Sequence, residues 1–194
     1  MRRLAAVLLV SFALVTAPGV VASRASAQAA PAAASGTTPH AEACAEGLGK
    51  LRAGDTDGAV AALRRAVQLE QGRPLAFYYL GEALRVQRNY ADSLEMFRTA
   101  SRLARAAGDT RLEARSLQGV ADTLERIEGK RNEARAAWAE YLVFANANSE
   151  VAFPALANAR IQALDTVREL DETYADVRER IAIRARENAR PSTP

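Results

Sequence analysis

Apolar and polar positions alternate in four distinct ways along the chain. Leu4 to Val15 is an apolar run behind Arg2 and Arg3. Residues 28–39, QAAPAAASGTTP, carry no stripe and two prolines, the composition of a flexible spacer. From 40 to 147 apolar residues recur at helical spacing, with turn signals such as Gly54-Asp55 and Gly129 between the stripes. From Ala155 to Arg190 neither Gly nor Pro interrupts the chain, which permits a rod of about 50 Å at 1.5 Å per residue. These patterns predict an all-α protein.

YYLGEALRVQRNYADSLEMF, Tyr78 to Phe97, reads as two short helices joined by a tight turn, with Gly81 inside the first. A glycine there costs roughly 1 kcal/mol relative to alanine, so a close approach of another helix has to offset it. Shifting the chain by 34 residues aligns Gly47 with Gly81, Ala59 with Ser93, Leu63 with Phe97 and Ala66 with Ala100. That is the period of a helix-turn-helix repeat.

Pro74 to Leu103, with Leu80-Gly81, Leu84, Tyr90, Ser93, Phe97 and Ala100, resembles the tetratricopeptide repeat family, and Phe77 stands where that family often has tryptophan. In that family the small residue at Gly81 lets the first helix of a unit approach the second. Ala41 to Leu69 is a degenerate first copy, with Glu46 and Lys50 at two positions that are usually apolar. A third copy, carrying Val120-Ala121, Leu124, Gly129, Asn132, Ala134 and Trp138, follows an enlarged turn, ARAAGDTRLEARS. The resemblance spans about residues 41–145. It implies a short right-handed solenoid of about three helix pairs over 40–147, then a long capping and coiled-coil-like helix over 148–190 and a frayed end at 191–194.

A closing helix is physically required, because stacked pairs leave an apolar end uncovered. Ser149 is the expected cap, with Ala155, Ala159, Ile161 and Leu164 as the covering face. Further on, Val167, Leu170, Tyr174, Val177 and Ile181 recur at spacings of 3 and 4, a short heptad seam. Two uses fit it: a homodimer, or folding back onto the solenoid.

The first 27 residues read as a general secretory signal, with Ala25-Ser26-Ala27 as the cleavage site. An uncleaved anchor is the competing reading, since no charge interrupts residues 4–23. The formal charge of +3 comes from 26 Lys+Arg against 23 Asp+Glu. Cleavage removes Arg2, Arg3 and Arg24 and no acid, leaving no net charge and no electrostatic case for nucleic acid. The Ala- and Arg-rich composition together with the signal points to a periplasmic or secreted bacterial protein, without stable membrane insertion once cleaved. Cys44 is the lone cysteine, expected as a buried small residue, with an intermolecular disulfide as the other reading.

Little supports catalysis. His40 is the single histidine, too little for a metal site, and no nucleophile elbow, Walker loop or zincin helix is present. No cofactor and no metal are expected. What the resemblance offers is a concave surface lined by the first helix of each unit. Its groove positions fall on Cys44, Leu48, Leu51 and Arg52, then Tyr78, Glu82, Arg85 and Val86, then Gln118, Asp122, Glu125 and Arg126. The family's carboxylate-clamp pattern is missing, because Cys44 and Leu48 replace its lysine and asparagine.

Such a groove suits an extended or helical peptide, and Tyr78 and Arg85 are of the types that carry binding energy. Leu48 and Leu51 can equally cover a terminal helix, and Tyr78 can equally be a packing residue. Three functions follow: a non-catalytic scaffold or adaptor holding a protein partner in the cell envelope, a self-assembling structural component of the envelope, and an unrecognised hydrolase.

Overall fold

The computed structural model describes residues 37–188. The signal expected at 1–27, most of the 28–39 spacer and the 191–194 tail lie outside the described residues. Eight helices and no strand occur among the described residues: α1 (Pro39–Arg52), α2 (Thr56–Leu69), α3 (Pro74–Val86), α4 (Tyr90–Ala107), α5 (Thr110–Glu125), α6 (Arg131–Ala147), α7 (Pro154–Thr173) and α8 (Ala175–Asn188). Each of α1 to α7 packs on the next, and α3 also touches α1 and α5. The first helices of the three pairs therefore line up as one layer, as the all-α helical-repeat reading requires.

One arrangement, a left-handed residue followed by an Asp or Asn cap, builds three of the turns. Gly54, Arg88 and Gly108 have left-handed φ values of 82°, 63° and 70°, and each precedes a capping residue. Asp55 accepts a hydrogen bond from the Gly58 amide at 2.9 Å, Asn89 from Asp92 at 3.4 Å and Asp109 from Leu112 at 2.9 Å. Such a cap contributes about 1 kcal/mol. Arg88 bears the steric cost of the left-handed conformation, roughly 1–2 kcal/mol for a side-chain-bearing residue. The enlarged turn expected before the third copy is absent. The chain between α4 and α5 is only Gly108-Asp109, and the extra length is helix: α4 runs to Ala107 and α5 starts at Thr110. The Gly-Asp pair is so effective a stop and start signal that no longer loop is needed.

Glycines set the helix spacing. A Cβ on Gly81 would lie 3.0 Å from the ring of Phe97, and one on Gly119 only 2.7 Å from the same ring. Phe97 is fully buried, held between α3 and α5 by two backbones that carry no side chain at the contact. Ser93 donates to the Gly81 carbonyl at 2.8 Å, tying α4 to α3 beside that ring. In the first pair Gly47 plays the same part, where a Cβ would come within 2.5 Å of Leu63 Cγ. The close approach inferred for Gly81 is what the structure has, and Gly119 is a second contact of the same kind.

The closing helix arrives differently from expectation. Ser149 lies in a turn, and α7 starts at Pro154 with Phe153 at the cap position and no side-chain cap bond. Its entry is fixed instead from α6: the Phe153 amide donates to the buried Tyr141 hydroxyl at 3.0 Å, and Pro154 supplies a preset φ at the first helical position. Leu156, Ala157, Ile161 and Leu164 cover Trp138, Tyr141 and Ala145, while Ala155 and Ala159 are exposed.

The uninterrupted rod is also corrected. Helical structure breaks at Tyr174, between α7 and α8. The Asp171 carbonyl, which would accept the Ala175 amide in a continuous helix, accepts a bond from the Arg178 guanidinium instead. A side chain inserted into the backbone ladder is an established cause of such a break.

Candidate functional site

Helices α3 and α5 enclose a recess of about 250 Å³ on the face lined by the first helices. Tyr78, Glu82 and Arg85 enter from α3, and Arg115, Gln118 and Asp122 from α5, with Gly119 as part of the wall. The spacings explain the convergence: residues three and four apart share a helix face, and the Gly119 contact draws α5 onto α4. Five residues anticipated from sequence, Tyr78, Glu82, Arg85, Gln118 and Asp122, thus meet in one place.

The recess holds charge at partial burial. Arg85 donates to Glu82 at 2.5 Å, and the two side chains are only about a quarter exposed, at 24% and 23%. Burial works against the Arg85 charge, but the hydrogen bond it donates to Glu82, together with the charges of Glu82, Asp122 and Tyr78, more than offsets it and raises its pKa. Its Nε is buried with no partner among the described residues. Asp122 goes the other way. Burial pushes its carboxyl above the ordinary value, against the lowering effects of the Gln118 amide at 3.5 Å and of Arg85. Burial likewise raises the Tyr78 hydroxyl, Glu82 adds to this and Arg115 opposes it. The Tyr78 ring is half-buried and leans on Phe97, centroids 5.7 Å apart, so packing fixes its position and leaves one side toward the recess.

A second recess of about 200 Å³ continues the surface, sharing Arg115 and Gln118 and adding Arg111, Glu150 and Phe153. Arg111, Arg115, Gln118 and Asp122 follow one another at helical spacing on α5. An enlarged turn over residues 104–116 hides the first two. With α5 started at Thr110, the same stripe arithmetic that gives Gln118 and Asp122 also gives Arg115 and Arg111.

Other groove positions are placed elsewhere. Leu51 is half-buried and packs against the Ala59, Leu63, Leu80 and Leu84 cluster, so its contacts are those of a core residue. Leu48 is half-buried, and Arg52, Val86 and Arg126 are exposed outside the two recesses. Glu125 is engaged in holding helices together: it accepts from the buried Trp138 indole and from the Arg160 guanidinium of α7. Cys44 is buried, as expected, and His40, expected at the spacer edge, is buried beside it with Nε2 3.7 Å from Sγ. Burial, and then Glu70, raise the Cys44 pKa, which leaves the thiol protonated and poorly nucleophilic at neutral pH.

The seam residues Val167, Leu170, Tyr174, Val177 and Ile181 are all exposed, between 38% and 64%. Among the described residues α8 touches α7 alone, so the seam does not fold back onto the solenoid. Ion pairs hold the base of α7 to α6: Arg135 grips Asp165 with two bonds of 2.7 and 3.0 Å, and Arg131 reaches Asp171. Among the described residues no cluster of three or more potential ligands could hold a metal, and no helix is long and apolar enough to cross a membrane.

Neither a protein-family model nor a curated protein sequence matches the chain. Among solved structures it is similar to the N-terminal domain of stress-induced protein-1 (STI-1) from C. elegans, with a TM-score of 0.57 and 12% sequence identity over 65% of this chain and 94% of that one. At that identity the likeness concerns architecture, and the architecture is a tetratricopeptide-like helical repeat.

Proposed function

We propose that the protein is a non-catalytic scaffold or adaptor of the bacterial cell envelope that holds a peptide or helix of a protein partner against α3 and α5. The observation that carries this reading is the recess itself: Arg85, Glu82 and Asp122 are kept at partial burial around Tyr78, at an electrostatic cost that core packing does not require. Charged groups arranged against their solvation preference mark functional surfaces. An arginine and a tyrosine at the centre of such a surface are of the types that dominate binding energies. The envelope location is part of the proposal and is supported by the Arg2-Arg3 and apolar start of the chain together with Ala25-Ser26-Ala27. Cross-linked envelopes provide the test. Partners recovered with the tagged wild-type chain should be lost with Tyr78→Ala or Arg85→Ala when both variants melt normally. An unchanged partner set, or turnover by the purified protein in hydrolase screens, would contradict the reading.

A second reading is favoured by the exposed seam on α7 and α8: self-assembly through the C-terminal helices, with the solenoid carried as a spacer. Analytical ultracentrifugation of the cleaved chain distinguishes the two, since a strict monomer at every concentration removes the second and leaves the first untouched.

A further inference from the structure

The self-assembly reading leaves open how two tails would meet, and their charge pattern answers that. Val167, Tyr174 and Ile181 occupy one core position of the heptad, and Leu170 and Val177 the other. Directly after the second core position come Asp171 and Arg178, on the flank of the seam. In the single chain these two pair with each other at 3.1 Å, and both are about half exposed, at 41% and 53%. Charge is also divided lengthwise. Residues 165–176 hold five acids and one arginine, whereas 177–188 hold four arginines and two acids. Arg180 and Arg184 make no ion pair with a described side chain, and neither do Glu169 and Asp176.

We propose that a second copy of this chain covers the seam in antiparallel orientation, with Leu170 against the partner's Ile181 and Tyr174 against the partner's Val177. The two-fold axis repeats those contacts, as in any isologous dimer. In this register Asp171 faces the partner's Arg178 and Arg178 faces the partner's Asp171, so the intrachain pair is exchanged for two reciprocal pairs between copies. Sliding the partner by one heptad in one direction sets Asp171 against the partner's Asp171. Sliding it in the other sets Arg178 against the partner's Arg178. Flanking charges select orientation and register in just this way. A parallel pair would place threonines, Thr166 and Thr173, opposite the two charges, and would lay the acidic half along the acidic half.

Exchanging that pair also releases the Asp171 carbonyl from the Arg178 guanidinium that interrupts the helix at Tyr174, so α7 and α8 can join beside the axis, which passes between Ala175 and Asp176. With only four apolar layers the dimer is weak and concentration-dependent.

This inference rests on self-assembly, and the test separates the two. Sedimentation of the purified chain should show a dimer fraction that rises with concentration. Asp171→Arg and Arg178→Asp should each weaken the dimer by about tenfold, because two exposed pairs turn repulsive. An equimolar mixture of the two variants should recover wild-type affinity as a heterodimer. Asp171 also pairs with Arg131, so melting curves accompany each variant. Leu170→Cys and Ile181→Cys in a Cys44→Ala background report independently of charge: the mixture should form a disulfide between copies, and neither variant alone. A strict monomer overturns self-assembly and this proposal together, including the case in which the monomer floats with anionic phosphatidylglycerol vesicles, which would assign the face to lipid. A dimer in which Leu170→Cys alone cross-links overturns the antiparallel register while self-assembly stands.

Discussion

The solenoid and the tail carry apolar residues at the same helical spacing and meet opposite fates. In α1 to α6 large side chains such as Phe97, Leu63 and Trp138 are fully buried; beyond Leu164, Leu170, Tyr174 and Ile181 are half exposed or more. The difference lies in the small residues opposite them. Phe97 is flanked by Gly81 and Gly119, Leu63 faces Gly47, and alanines such as Ala43, Ala66, Ala83, Ala100 and Ala121 have no exposed surface. The tail has no neighbouring helix that offers such surfaces. An amphipathic stripe states that a helix will be covered; the small residues of a neighbour decide whether its own chain covers it.

Mutations break this comparison at graded strength. Phe97→Ala removes the side chain around which α3, α4 and α5 close, and should destabilise the protein by about 3–5 kcal/mol, read as a lower denaturant midpoint. Gly81→Leu and Gly119→Ala force a side chain against a ring that has nowhere to move. Each should cost about 1–3 kcal/mol, or on the order of 2–10 °C in Tm for a domain of this size, with Gly119 more sensitive per added atom because its contact is closer. Normal melting of both glycine variants would refute the packing account. Leu170→Ser, a cut of similar size in the tail, should leave the monomer's melting within about 0.5 kcal/mol of wild type.

Glu125→Gln sharpens the boundary between the two regions. It keeps a hydrogen-bond acceptor for the Trp138 indole but loses the charge that faces Arg160. Hydrogen exchange should therefore rise in α7 and stay unchanged in α3 and α4, at a cost of about 1–2 kcal/mol.

Asp122 gives a pH test. Its pKa is raised in the folded chain, so the folded state binds the proton more tightly. Its contribution to stability is present below the unfolded carboxylate value and is lost as pH rises through the raised one. Asp122→Asn should accordingly be more stable than wild type at neutral pH, with the gain vanishing in acid, as seen by urea melts at several pH values. The smallest effect belongs to Arg88→Gly, which relieves a left-handed side-chain-bearing residue but gains chain entropy in the unfolded state, for a net increase of about 0.5 kcal/mol.

Much of this was legible in the sequence. The 34-residue shift located α1 to α4, and Gly81 announced a close helix contact before any partner was visible. What was missed traces to particular residues. Gly108-Asp109 reads as the centre of a long turn because ARAAG, rich in small and basic residues, has a weak apolar stripe; the Asp109 cap starts α5 at Thr110, and with that start Arg111 and Arg115 join the groove. Ser149 looked like a cap by residue type, yet the Tyr141 hydroxyl, distant in sequence, governs the entry to α7. No Gly or Pro marks the break at Tyr174, because its cause is an arginine reaching back seven residues to Asp171. Leu51 reads equally as groove-lining or as a packing residue, since spacing along one helix does not reveal that α2 and α3 supply its neighbours.

The central claim is that the face between α3 and α5 is where a partner sits. A photo-reactive amino acid placed at Gln118, inside the recess, and in a separate variant at the solvent-exposed Glu95 of α4, tests it in intact envelopes. The account predicts a discrete protein adduct from position 118 that disappears with Arg85→Ala, and none from position 95. Equal adducts from both positions, or none from position 118 while the tail still captures protein, would contradict it.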